Sequence, residues 1–285
     1  MKQPIIEQAT ATDNENLLNL YEEEKKDKTV LIKTVQSSAF RVLVEALKDI
    51  LQDVNIHLDQ TGIKVITMDV SQTVLVHLKL EAKHFEYYFC EKDTVIGINL
   101  GNLFKLIKSM SNNDTLTLSI SKQDQNRLGI KIENCEKNSL TNFKINLLDL
   151  PDETIQVDPV AFDSVITMPS SDFQKICRDM AAISDILEIK SVDNVLLLSC
   201  KGDFCTQETR LGQTNNGMTF VKNTNPDYIV QGYFALKHLV LFTKCTNLCN
   251  SIELYLKNNY PLIIKYSVAS LGHIKLCLAP KEQNL

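Results

Sequence analysis

The chain repeats itself. Ser37-Ser38-Ala39-Phe40 returns as Ser170-Ser171-Asp172-Phe173 after 133 residues, and the stretch from Leu100 to Lys108 returns as Leu236 to Lys244 after 136. Within each copy the two repeated segments lie a similar distance apart, 60 residues from Phe40 to Leu100 and 63 from Phe173 to Leu236. A duplication of this kind restricts the fold to two similar domains, each built around two recurring units.

All four units carry one apolar stripe at i, i+3, i+4, i+7: Phe40–Leu43–Val44–Leu47, Leu100–Leu103–Phe104–Ile107, Phe173–Ile176–Cys177–Met180 and Leu236–Leu239–Val240–Thr243. That spacing lays the stripe along one side of a helix and predicts helices over 37–51, 100–110, 170–183 and 235–246. Counted from each leading residue, bases fall at +1 (Arg41, Lys237), +5 (Lys105, Arg178) and +8 (Lys48, Lys108, Lys244). At about 100° per residue these offsets sit roughly 80–140° round from the stripe's first residue, with Lys175 at +2 a little further. One such helix is an ordinary solvated face. Four in matching phase imply a single polyanion, gripped without reading its sequence.

The overall charge points the other way until it is mapped. The 285 residues hold 30 Lys and Arg against 35 Asp and Glu, a net −5. The predicted helices contain eight bases against four acids (Glu45, Asp49, Asp172, Asp179), which makes them +4 and leaves −9 for the remainder. Such a chain holds phosphates on one surface and repels them elsewhere. Short β runs fill the rest, from Val30–Val35 to His273–Leu278, most of them closed by Gly, Asn, Asp or Pro turns as antiparallel sheets are. The class is α+β.

Residues 1–28, with seven acids and four bases, read as a flexible extension with a short helix near Asn16–Glu24. Residues 29–148 and 162–281 are the two domains, joined by a linker over 149–161 that contains Pro151 and Pro159, and 282–285 is a tail. The eight cysteines form no Cys-x-x-Cys pair and lack histidines at ligand spacing, so reduced intracellular thiols and no metal or cofactor are expected. No membrane-length apolar run and no secretory leader is present. Phosphate-loop, dinucleotide-glycine, Gly-x-Ser-x-Gly and His-Glu-x-x-His patterns are all missing, which argues against an enzyme. Of the dispersed histidines, His238 could add to the polyanion-facing surface, and the others are read as structural.

Several strings occur in fixed order between residues 30 and 281: Val44-Glu45-Ala46-Leu47-Lys48-Asp49, Thr67-Met68-Asp69, Leu147-Leu148-Asp149-Leu150, Met168-Pro169-Ser170 and Ile176-Cys177-Arg178-Asp179. Phe242-Thr243-Lys244, Pro261-Leu262, Gly272-His273-Ile274-Lys275 and Leu278-Ala279-Pro280-Lys281 follow. In these the chain resembles the proliferating cell nuclear antigen family, the sliding clamps of replication. The resemblance implies a DNA-clamp fold: two similar domains, each with antiparallel sheets outside and two helices inside, assembling as a homotrimeric ring around double-stranded DNA. Three copies would bring about 12 net positive charges to the lining. It further implies tethering of DNA polymerase and other replication and repair enzymes, loading by a clamp loader, and work in the nucleus or in a cytoplasmic viral replication compartment.

By the same resemblance, Thr141–Ile145 of one subunit would pair with Thr206–Leu211 of the next, with Phe143, Ile145, Thr209 and Leu211 at the joint. Met68, Leu75, Ile155, Val157, Phe162, Pro261, Leu278, Ala279 and Pro280 would surround a pocket for partner peptides bearing a helical turn and two aromatics. The chain departs from the family pattern at Gln72, where a His is common, at Gln156, where a Gly is, and at Cys277, where an aromatic is. Asp193 stands where many eukaryotic clamps carry a modifiable Lys. A clamp-like factor that acts as a monomer or in a hetero-ring is the alternative.

Overall fold

The computed structural model describes residues 21–151, 155–223 and 228–281. Most of the N-terminal extension, with its expected helix up to residue 20, linker residues 152–154 and the tail 282–285 lie outside the described residues. The first copy runs β1 (Lys28–Thr34), α1 (Ser37–Leu47), β2 (Asp53–Asp59), β3 (Gly62–Met68), β4 (Val74–Glu81), β5 (Tyr87–Cys90), β6 (Thr94–Asn99), α2 (Leu100–Ile107), β7 (Thr115–Ser121), β8 (Arg127–Asn134) and β9 (Ser139–Asn146). The second copy follows the same order: β10 (Ser164–Pro169), α3 (Ser170–Ala181), β11 (Ile186–Val192), β12 (Val195–Lys201), β13 (Thr206–Gly212), β14 (Thr219–Asn223), β15 (Val230–Ala235), α4 (Leu236–Phe242), β16 (Ser251–Leu256), β17 (Leu262–Val268) and β18 (Gly272–Leu278).

The duplication extends to strand pairing. The first copy's sheet β5-β1-β7-β8-β9 is matched in the second by β14-β10-β16-β17-β18, and β6-β2-β3-β4 by β15-β11-β12-β13. One pairing breaks the equivalence. Strand β18 joins β4 in antiparallel register from Gly272↔Leu80 to Leu278↔Val74, and so fuses two sheets into one of nine strands. Gly272 permits the approach, because a Cβ there would stand 2.1 Å from the Lys79 carbonyl oxygen.

All four helices form where the stripes predicted. Phe40, Leu43, Val44 and Leu47 are buried in α1, Leu100, Leu103 and Ile107 in α2, Phe173, Cys177 and Met180 in α3, and Leu236, Leu239 and Phe242 in α4. At roughly 1.5–3 kcal/mol per buried large side chain, burial of the stripe far outweighs local helix propensity. The helices end sooner than expected, because their last residues tighten into turns. Leu51 N–H still reaches the Leu47 carbonyl at 2.8 Å, and α4 continues as a 3₁₀ turn over Thr243–Leu248. The repeated serines have the same task in each copy. Ser37 Oγ donates to the Ser111 carbonyl (2.9 Å) in the turn after α2, and Ser170 Oγ to the Cys249 carbonyl (2.6 Å) in the turn after α4.

The helices make one contiguous layer. Helix α1 packs on α2 and on the 3₁₀ turn after α4, and that turn packs on α3. A single apolar cluster under this layer spans both copies, with Leu43, Val76, Ile98, Phe173, Leu254 and Ile274 among its members. Residues 21–27 differ from the flexible reading given to the whole extension. Tyr21 is only 7% exposed, stacks 4.8 Å from Tyr87, and lies under the Lys33 ammonium. Asp193 and Asn194 form the two-residue turn between β11 and β12, both with positive φ, a conformation these residues accept readily.

Gly272→Val should therefore wedge the β18–β4 seam. The expected loss is about 1–3 kcal/mol, a drop in Tm of roughly 3–8 °C by calorimetry, and an unchanged Tm would contradict the close approach.

Candidate nucleic-acid interface

The eight cations expected from sequence all lie on the helix layer or its end turns: Arg41 in α1 and Lys48 at its C-cap, Lys105 in α2 and Lys108 at its C-cap, Lys175 and Arg178 in α3, Lys237 in α4, and Lys244 in the following 3₁₀ turn. They are not equivalent. Arg41 pairs with Glu45 (3.4 Å), and Lys48 pairs with Asp49 (2.9 Å) while lying 5.1 Å from the Phe104 ring centroid. Lys244 reaches across from the second copy to the same Asp49 at 2.6 Å, and Lys105 donates to Asn102 Oδ1 at 3.1 Å. Lys108, Lys175, Arg178 and Lys237 are exposed and form no ion pair among the described residues.

Asp49 is the acid of this layer that two lysines share. Partial burial pushes its carboxyl up, but hydrogen bonds and charge from Lys244 and Lys48 outweigh that and hold it below the ordinary aspartate value. His238 corrects the sequence reading. It is 9% exposed in α4, and burial together with the Lys237 charge keeps the imidazole below its ordinary pKa. A buried imidazole that resists protonation adds little to a phosphate-facing surface.

The opposite face of the nine-stranded sheet carries an apolar row. Register sets Met68 beside Leu75, Leu75 beside Cys277, Cys277 beside Ile263 and Ile263 beside Tyr255. Met68 is 40% exposed. At one end Phe162 packs edge-on against Tyr255 (5.3 Å) and Tyr260 (5.7 Å), next to Pro261. At the other, Ala279 N–H donates to the Thr73 carbonyl at 3.0 Å, which sets Ala279 and Pro280 beside the 69–74 turn that contains Gln72. Asp69 organises that turn by accepting from the Thr73 and Val74 amides (2.8 and 2.7 Å). Ile155 is half-buried and Val157 is 44% exposed.

Leu278 is a correction to the expected pocket. Strand alternation points it the other way, and it is fully buried between Val74 and Leu262. Ile263, Tyr255 and Tyr260 were not singled out from sequence; the period-two alternation of β16 and β17 marks the first two as facing outward.

Strands β9 and β13 stand at the free edges of the five- and four-stranded sheets. Phe143 and Ile145 of β9 and Leu211 of β13 are half-buried and pack on the apolar cluster, and Thr209 is half-buried in β13.

A duplicated array of antiparallel sheets carrying one layer of cationic helices defines the class: a two-domain DNA-clamp fold. Residues 29–154 match the family model described as proliferating cell nuclear antigen, N-terminal domain, and residues 156–281 match the C-terminal domain of the same family. The chain is also 40% identical over 253 residues to a protein named "Probable DNA polymerase sliding clamp 1" from Paramecium bursaria Chlorella virus 1, across 87% of this chain and 95% of that one. The chain belongs to the proliferating cell nuclear antigen family.

Because the folded value of Asp49 lies below the unfolded value of about 3.9, the stability it contributes is present above roughly pH 4 and lost as pH falls through the depressed value. Asp49→Asn should flatten the acid limb of urea-unfolding curves between about pH 5 and 2. Its cost at neutral pH should stay under about 1 kcal/mol, since the pair is partly solvated. An acid limb identical to that of the unaltered protein would remove Asp49 from this role.

Proposed function

We propose that this chain is a sliding clamp that encircles duplex DNA without sequence preference and tethers DNA polymerase and other replication and repair enzymes to it. One observation carries the ring. Strands β9 and β13 are the copies of β18 and β4, which pair within the chain, and both copies are left as free edges. Repeating the β18–β4 joint between molecules, β9 of one against β13 of the next, is a heterologous contact that closes when the rotation closes. Three two-domain subunits complete the ring in this reading, with Phe143 and Ile145 meeting Thr209 and Leu211.

The helix layer then faces the hole. Its exposed cations meet phosphates, whose even spacing lets contacts exchange as the ring moves along the duplex. Encirclement keeps the protein on DNA, so no single contact has to be strong. The apolar row at Met68 and Leu75, rimmed by Val157, Ala279 and Pro280, suits a partner peptide with apolar and aromatic anchors. The binding role needs no chemistry from the protein, and a clamp loader would open the ring. A replication compartment, nuclear or established by a virus, is the place of action, and the viral origin of the relative supports the latter. The monomeric or hetero-ring alternative has no observation in its favour.

Phe143→Ala should convert a three-chain species to single chains in sedimentation, and an unchanged trimer would take Phe143 out of the joint. Neutralising Lys108, Lys175, Arg178 and Lys237 should reduce the salt dependence of duplex binding by about 0.9 in log–log slope per lost phosphate contact. It should also shorten the products of a polymerase assay on primed circular DNA with loader present. Undiminished products would count against the clamp reading.

A further inference from the structure

The same outer face that carries the apolar row carries a second, cationic surface. Two residues along each strand from Leu75, Cys277 and Ile263 stand His77, Lys275 and Lys265, adjacent in register across β4, β18 and β17. One step further, Lys64, Lys79 and His273 form the next row across β3, β4 and β18. At about 3.3 Å per residue along a strand and 4.8 Å between strands, the cluster begins roughly 7 Å from the apolar row and spans about 14 Å. Neighbouring charges, one strand or one row apart, lie within one Debye length of each other.

Acids only border it. Glu253 pairs with Lys265 (2.9 Å), Asp59 with Lys64 (2.6 Å), and Glu81 lies 3.9 Å from Lys79 while binding Lys83 at 2.7 Å. Lys275, at the centre, has no ion pair among the described residues. The crowding is felt by the two histidines. Burial first, then Lys275 and other neighbouring cations, holds His77 and His273 below the ordinary imidazole value. Glu253, Asp59 and Glu81 offset three of the four lysines, so the surplus positive charge centres on Lys275 and on Lys79, whose acid is shared with Lys83, and it is there that an anion would be received.

We propose that this patch receives an acidic segment of the same partner peptides whose apolar anchors seat on the Met68–Leu75 row, so that the clamp prefers partners with Asp or Glu residues flanking the apolar motif. The proposal rests on the docking-face reading above and adds a selectivity to it. Contiguity favours a peptide: one extended chain passes from the apolar row to the cations within a few residues. A duplex or long single strand would run past the 14 Å patch onto Asp59, Glu81 and Glu253, which repel phosphate.

The test uses the full chain and two fluorescein-labelled peptides with the same helical-turn, two-aromatic motif. One is flanked by Asp and Glu, the other by Ser and Gly, and binding is read by anisotropy at about 50 mM salt. The acidic peptide should bind roughly five- to tenfold tighter, with the advantage shrinking as salt rises. The double variant Lys79→Gln, Lys275→Gln, with unchanged Tm, should bring the two peptides within about twofold while leaving the neutral one as it was. Equal binding of both peptides by the unaltered protein, or a preference that survives in the variant, overturns the proposal alone. Failure of both peptides to bind overturns the docking-face reading and this proposal with it. A short oligonucleotide that loses affinity in the double variant would reassign the patch to nucleic acid and overturn the peptide assignment.

Discussion

The antiparallel seam between β18 and β4 is the constraint on which the rest of the molecule depends. It joins residues nearly two hundred positions apart in the chain, from Gly272 against Leu80 to Leu278 against Val74. Without it the two copies would be separate domains on a proline-containing tether, free to turn their helices in unrelated directions. With it, two half-sheets become one, and the helices that cover them are forced onto one side. The phase match of cationic flanks, which is a property of four separate segments in sequence, becomes a property of one surface through this pairing and the packing of α1 on the turn after α4.

The two faces of that sheet have divided the chemistry. The side beneath the helices is apolar strand after strand, with Val76, Leu78, Ile264, Ile274 and Leu276 all buried. The side away from them is banded, one apolar row followed by cationic ones, because each strand contributes alternate residues and the register aligns like with like. The copies have also diverged on the helix layer. In the first copy Arg41 and Lys48 are engaged by acids and Lys108 is not, whereas in the second only Lys244 is engaged, and Lys175, Arg178 and Lys237 stand unpaired among the described residues.

Much of this was legible in sequence, and the reason is periodicity. A stripe such as Phe173–Ile176–Cys177–Met180 admits one secondary structure, and the repeat at Ser37 and Ser170 marks the duplication before any coordinate is known. What escaped has physical causes too. Strands β5 and β14 are runs of only four and five residues, too short to show a period, whereas β2 alternates Val54, Ile56 and Leu58 with polar residues and carried a strand signal that the reading left unused. Helix ends ran short because 3₁₀ turns satisfy the last carbonyls without continuing the α pattern. His238 and Leu278 were misplaced by one step of rotation and one step of alternation. The cross-strand rows could not be seen at all, since register between distant strands is a property of the fold rather than of any local segment.

Asp49 has a further consequence for motion along a polyanion. Lodged between Lys48 and Lys244, it behaves as a counterion that is covalently attached and therefore never leaves. On the reading proposed for this surface, a phosphate approaching either lysine still sheds the cations condensed on the duplex, but it must also displace a tethered carboxylate, and the broken Asp49 pair offsets part of the gain. The grip at that point is shallow by construction. Each departing phosphate finds its lysine promptly re-neutralised from within, so the energy surface felt by a passing double helix is smoothed where the two halves of the chain meet.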